Sequence, residues 1–293
     1  YWRQWYGEDG YVPKWAGSDA FTPSFQFENG WILPRWDPLI HLPEPVQFVF
    51  YLLLIGAGLL TTIGLFTRPA TIFFAIGLTA LHHRNILILH GGDTVMRVMV
   101  FYLALAPSGR AFSVDALRRF KREGGRTPAD PGPPVSEWPR RLIQTNMAII
   151  YFTSTWGKYF GTYWKNGQAT WFPARLNEFK RFPVPAFFND LPMVYITTWG
   201  TLAVEFALAV LVWFRPCRKW ALLSGLMLHG FIEYSMNIPL FSFLMMSLYV
   251  VWYDGEEISG WYQRLVRRFD SRPRKAAPVS EGGTTELIRV ASE

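Results

Sequence analysis

Lys158, near the end of an apolar run at residues 142–160, is the residue best placed to do chemistry in this chain. A lysine in hydrocarbon is costly unless it snorkels, meets an opposite charge or lines a wet cavity, which makes it a functional-site candidate by default. Gln144, Tyr151, Thr155 and Lys158 recur at helical spacing, so they share one stripe, expected to face protein rather than lipid. His229 and Glu233 are four apart and share a face on another apolar run, with Asn237 a turn further. That pair can be a hydrogen-bonded core couple or a proton relay. Arg84 with Asn85, and Asp93 with Arg97 one turn later, supply further charges. Buried charges normally exist as pairs, so Arg84 and Arg97 are expected against Asp93 or Glu205. His82 and His83 are adjacent, cannot share a helix face, and do not form a metal pair; no metal site is expected. No Gly-rich nucleotide fingerprint or nucleophile elbow is present.

Positioning these residues requires helices in a membrane. Half of the 293 residues are hydrophobic and only 17% are charged, against roughly 25% in soluble domains. Apolar runs recur at 46–66, 70–89, 93–106, 142–160, 194–214, 220–236 and 239–253. The reading is an all-α integral membrane protein, a polytopic helical bundle of about seven spans, eight if a helix precedes Tyr1. The run at 93–106 is short for a perpendicular crossing. The net charge of +7 sits in short segments beside the spans, which fits the positive-inside rule better than nucleic-acid binding. The basic loop 107–141 is therefore expected in the cytoplasm, together with Arg68, the Arg215, Arg218 and Lys219 cluster, and a basic helix and tail at 255–293. Residues 1–45, rich in Trp and Tyr, and the aromatic loop 161–193 fall outside the cell. A short interfacial helix is expected at about 174–182. By depth, Lys158, His229, Glu233, Arg84, Asn85, Asp93 and Arg97 converge on the outer half of the bundle. Cys217, the single cysteine, reads as a packing residue.

These residues resemble a known family. His83-Arg84-Asn85, Gly91-Gly92-Asp93 with Arg97, Ser113-Val114-Asp115, Tyr151-Phe152 with Lys158, Trp164 with Gly167, and His229 with Asn237 and Phe241 together resemble the HTTM (horizontally transferred transmembrane) domain, over about residues 46–254. This is the membrane domain shared with vitamin K-dependent gamma-glutamyl carboxylase. The resemblance implies chemistry at the periplasmic face of a bacterial inner membrane, with Lys158 as the base that deprotonates a reduced, vitamin K-like quinone. It would give His229 and Glu233 to proton handling. Arg84, Asn85, Asp93, Arg97, Tyr151 and Asn237 would bind substrate or anion. No cofactor follows from the residues themselves. The carboxylase carries a histidine where this chain has Arg110, and the carboxylase's large lumenal domain is not expected in the residues after the last span. The alternative is therefore a non-catalytic membrane subunit that assists maturation or assembly of a partner protein, with the polar cluster structural. In both cases the partners are the lipid bilayer and other proteins in a membrane complex, with no nucleic acid.

Overall fold

The computed structural model describes residues 41–84, 89–123 and 136–269, together with Gln4, 25–26, 32–33 and 38–39. Asn85 and most of the aromatic segment 1–45 lie outside the described residues, as does the tail beyond 269.

The helices are α1 (Glu44–Ile63), α2 (Thr67–Arg84), α3 (Gly91–Leu105), α4 (Val114–Glu123), α5 (Trp138–Phe160), the single turn α6 (Thr162–Lys165), α7 (Leu191–Ala209), α8 (Arg215–Ser235), α9 (Phe241–Ser247) and α10 (Gly255–Phe269). A 3₁₀ stretch, Leu248–Trp252, continues α9. The described chain is thus all-helical apart from one two-residue antiparallel pair, Phe25–Gln26 with Ile32–Leu33. Each apolar run contains a helix. Between 174 and 182, where an interfacial helix was expected, there is a 3₁₀ turn at Pro173–Arg175 and then an isolated bridge from Lys180 to Met236. Pro183 and Pro185 close that segment, and residues preceding proline are pushed out of helical geometry.

α1 turns most of its apolar side chains outward. Of its 20 residues only Gln47, Leu54 and Ala57 are buried, while Val46, Phe48, Val49, Leu52, Leu53, Ile55 and Leu59 are exposed. A helix that points its apolar side chains outward inverts the soluble pattern. Among the described residues, α1 and α7 are the two helices long and apolar enough to cross a membrane, against the seven spans expected from the apolar runs. α10 is amphipathic. It starts where Asp254 N donates to Glu257 Oε2 at 2.8 Å, and Tyr253 packs on Trp261 with ring centroids 4.7 Å apart.

The α1–α2 corner is clamped from α4. Gly64 takes φ +68° against Ser113, leaving no room for a side chain, and Phe66 follows at φ +47°. The Asp115 carboxylate accepts from Phe66 N (3.1 Å), Thr67 N (2.8 Å) and Thr67 Oγ1 (2.8 Å). Burial works to raise the Asp115 pKa, but these three donors outweigh it and hold the carboxyl below its ordinary value. Ser113 caps α4 in turn, accepting from Ala116 N at 3.0 Å. Ser113-Val114-Asp115 is therefore a structural clamp.

Candidate functional site

α5 separates its faces cleanly. Ile143, Gln144, Met147 and Tyr151 are buried, whereas Ile149, Phe152, Trp156, Tyr159 and Phe160 are about half exposed. The stripe through Gln144, Tyr151 and Lys158 thus looks into the protein, as its spacing predicts. Near the start of α5 Gln144 Nε2 donates to Val251 O at 2.7 Å. Near its end Lys158 donates to Ser154 Oγ, one turn back, at 2.8 Å, and forms an ion pair with Glu205 of α7. The side chains of Lys158 and Glu205 are 26% and 10% exposed, so water reaches the lysine more than its partner. The ring of Trp164 on α6 lies 5.3 Å from the ammonium, centroid to nitrogen, in cation–π geometry.

Two turns deeper, the Tyr151 hydroxyl sits between His229 Nε2 of α8 (2.8 Å) and the Tyr249 hydroxyl on the 3₁₀ stretch (2.9 Å). This chain of three buried polar side chains joins three separate elements. Gly225, one turn before His229, makes the approach possible: a Cβ there would overlap the Tyr249 hydroxyl and lie 2.9 Å from Leu208 Cδ1. The His229 ring also meets Phe241 edge-on, with centroids 5.6 Å apart. Glu205 Oε2, His229 Nδ1 and Ser242 Oγ are buried with no hydrogen-bond partner among the described residues.

The ion pair is not at the rim. The 162–171 segment is fastened to α7 above it: Thr170 Oγ1 contacts Thr197 Oγ1 and Thr198 Oγ1, both at 2.8 Å, and Trp199 Nε1 donates to Trp164 O at 3.3 Å. Thr198 precedes Glu205 by two turns, roughly 10 Å along the axis. The start of α7 therefore stands above the Lys158–Glu205 level, and the loop roofs it.

The other expected site residues separate into distinct places. Glu233 does not face Lys158; it pairs with Arg181 of the loop at a half-exposed position. Helical spacing puts His229 and Glu233 on one side of α8, but the bundle's depth divides them: His229 is 3% exposed, and Glu233 is a turn closer to the surface. Asp93 works as a helix cap, accepting from His90 N at 2.8 Å while His90 Nδ1 accepts from Gly92 N at 3.0 Å. Arg97 and Asp93 are electrostatic neighbours of buried His82, and Arg84 is buried at the end of α2. Asn237 is exposed, its backbone N donating to Phe179 O at 2.6 Å. The expected single convergence is thus a centre around Lys158, a second polar group where α2 meets α3, and a surface pair. Glu205, expected as partner of an arginine, is taken by Lys158. Tyr249 was missed as a site residue, although Ser242 and Tyr249, seven apart and both buried, form a polar stripe on an apolar run. Among the described residues no group of three His, Cys, Asp or Glu side chains is placed to hold a metal ion.

An all-helical bundle with an outward apolar surface and an internal ion pair defines a class of membrane-type proteins with a polar interior. Residues 24–256 match the HTTM domain, and the chain belongs to that family, a membrane domain family. It is also 25% identical over 148 residues to the uncharacterized protein YitO of Bacillus subtilis. That alignment covers 47% of this chain and spans about half, 47%, of YitO. No solved structure matches.

Proposed function

We propose that this is an integral membrane protein of about seven spans in a bacterial inner membrane, and that the Lys158–Glu205 pair is a proton-exchanging centre facing the periplasm. The observation that carries the catalytic reading is the surplus of buried polar atoms: Glu205 Oε2 and His229 Nδ1 have no partner among the described residues. A purely structural staple is expected to use its hydrogen-bonding capacity, and orphaned buried groups call for water, ligand or chemistry. In the proposed step the Lys158 ammonium passes a proton to Glu205, giving a neutral amine beside a carboxylic acid. The amine then takes a proton from an acidic O–H or C–H of substrate, leaving the substrate anion and restoring the ammonium, and Glu205 gives its proton up to the water that reaches the pair. Trp164 places the amine, and the Tyr151–His229–Tyr249 chain holds the polar floor. This is the role that the carboxylase resemblance assigns to Lys158, with Glu205 in place of Glu233 as its acidic partner.

A reduced, vitamin K-like quinone is the cofactor that the carboxylase resemblance implies for this centre. Its ring system needs an apolar slot of roughly 300–1,000 Å³. One cavity among the described residues, about 250 Å³, is lined by Arg175 and Lys180 and does not include Lys158. No step is routed through a quinone.

The second reading, a non-catalytic subunit assisting a partner protein, is favoured by one observation. The Lys158 ammonium is already engaged by Glu205, Ser154 and the Trp164 face. Lys158→Arg separates the two readings, because arginine keeps the ion pair but cannot be deprotonated. In a strain lacking the chromosomal copy, the catalytic reading expects Lys158→Arg to be produced and folded yet to fail to restore the deletion phenotype, like Lys158→Ala. Full restoration by Lys158→Arg would sink it and leave the scaffold.

A further inference from the structure

The aromatic loop between α6 and α7 encloses a cavity of about 250 Å³ bounded by Thr170, Arg175, Lys180, Phe188, Asn189 and Thr197, among others. We infer that this cavity is a binding site for a phosphate oxyanion, carried by the headgroup of an anionic phospholipid. The inference does not depend on any role for Lys158.

Charge comes first. Two of the residues lining the cavity are cationic and none is acidic, so the site carries positive charge without an internal counter-ion. Glu233, the carboxylate on nearby α8, is already engaged by Arg181. The Lys180 side chain has no hydrogen-bond or ion-pair partner among the described residues.

Preorganisation comes second. Arg175 is fixed by donating through Nη1 to Trp171 O and through Nη2 to Asn189 Oδ1, and its guanidinium lies 3.3 Å from the Trp171 ring centroid. A stacked, anchored guanidinium loses little freedom on binding and offers its remaining N–H groups in a rigid fork, the arrangement suited to phosphate. Because Asn189 gives its carbonyl oxygen to Arg175, its amide NH₂ remains a donor. Donors thus come from a 3₁₀ turn, a bridge strand and the end of a second 3₁₀ turn, which suits a tetrahedral oxyanion better than a planar carboxylate.

Surroundings name the source. Trp171, Phe172, Phe179, Phe182 and Phe187 around the same loop are exposed. Exposed aromatic rings interleaved with cations are the composition of a headgroup-level interface. The cavity wall formed by Phe188 against Phe231, centroids 5.0 Å apart, offers apolar surface to the glycerol end of a lipid.

The test is native mass spectrometry and lipid-exchange binding on the full chain in nanodiscs of phosphatidylcholine doped with phosphatidylglycerol. Wild type is expected to retain phosphatidylglycerol, and Lys180→Gln and Arg175→Gln each to weaken retention about tenfold, in keeping with one lost cationic contact. Lys180→Gln removes no internal partner, so its thermal midpoint should equal wild type, which separates binding from folding. Lys219→Gln, a cation over Trp220 elsewhere, should leave retention unchanged. Inorganic phosphate added at millimolar concentration distinguishes the sources: failure to displace the lipid supports the headgroup. Displacement with equal loss in both variants would keep the oxyanion chemistry but overturn the lipid as its carrier. Unaltered retention in Lys180→Gln and Arg175→Gln would overturn the site.

Discussion

Two ion pairs of opposite situation stand along this chain. Lys158–Glu205 joins α5 to α7 inside the bundle, with side chains 26% and 10% exposed; Arg181–Glu233 joins the loop to α8 with side chains 42% and 36% exposed. Chemically they are alike, a cation on a carboxylate. Their surroundings make them different objects. Solvent screens the outer pair and can replace either partner, so it contributes little to stability. The inner carboxylate has no such substitute, and its second oxygen already lacks a partner. The comparison teaches that in this bundle the position of a charge along its helix decides its consequence more than its identity does.

The contrast is sharpest on removing one member of the inner pair. Glu205→Leu leaves a lysine facing an apolar wall, and a loss of about 2–3 kcal/mol is expected, below the range for fully buried pairs because Lys158 can reach water. The double variant Lys158→Met with Glu205→Leu should recover most of that loss in thermal unfolding in detergent. If the single and double variants unfold together, the inner pair is no more demanding than the outer one. Gly225→Ala probes the floor beneath the pair: its methyl group meets the Tyr249 hydroxyl and Leu208, and a loss of about 1–3 kcal/mol is expected from overpacking. Tyr249→Phe in the Gly225→Ala background should then cost less than in wild type, since the hydroxyl is already displaced. The smallest effect belongs to the outer pair. Arg181→Gln should shift stability by about 0.5 kcal/mol or less, measured in the same unfolding assay, and a larger loss would break the distinction.

Helix positions were legible in the sequence because apolar runs and charged loops punctuate it strongly. The inward stripe of α5 was legible as well, since period alone places Gln144, Tyr151 and Lys158 together. Partner choice was not. Matching Lys158 to Glu205 depends on how far α7 slides past α5, and nothing local to either helix states that offset. The same blindness put Glu233 beside Lys158, because spacing on α8 gives azimuth and not depth. Tyr249 was hidden for another reason. Its stretch winds as a 3₁₀ helix, and a tyrosine in an apolar run resembles an interfacial anchor until a histidine is found opposite its hydroxyl. Asp93 stood out as a charge near a membrane span and Asp115 as part of the Ser113-Val114-Asp115 motif, yet each serves backbone N–H groups at a helix start, a task with no requirement for catalysis.

The roof over Lys158 has a mechanical consequence. It is tethered to α7 through Thr170, whose hydroxyl meets those of Thr197 and Thr198 and the Val194 carbonyl and whose N–H donates to Thr198 Oγ1, and through the Trp199 indole N–H. Neutral hydrogen bonds contribute about 1 kcal/mol each in net terms, so together they pin the turn to α7 at both of its ends. Fastened in this way, the turn holds the Trp164 ring against the Lys158 ammonium while about a quarter of the lysine side chain stays open to water.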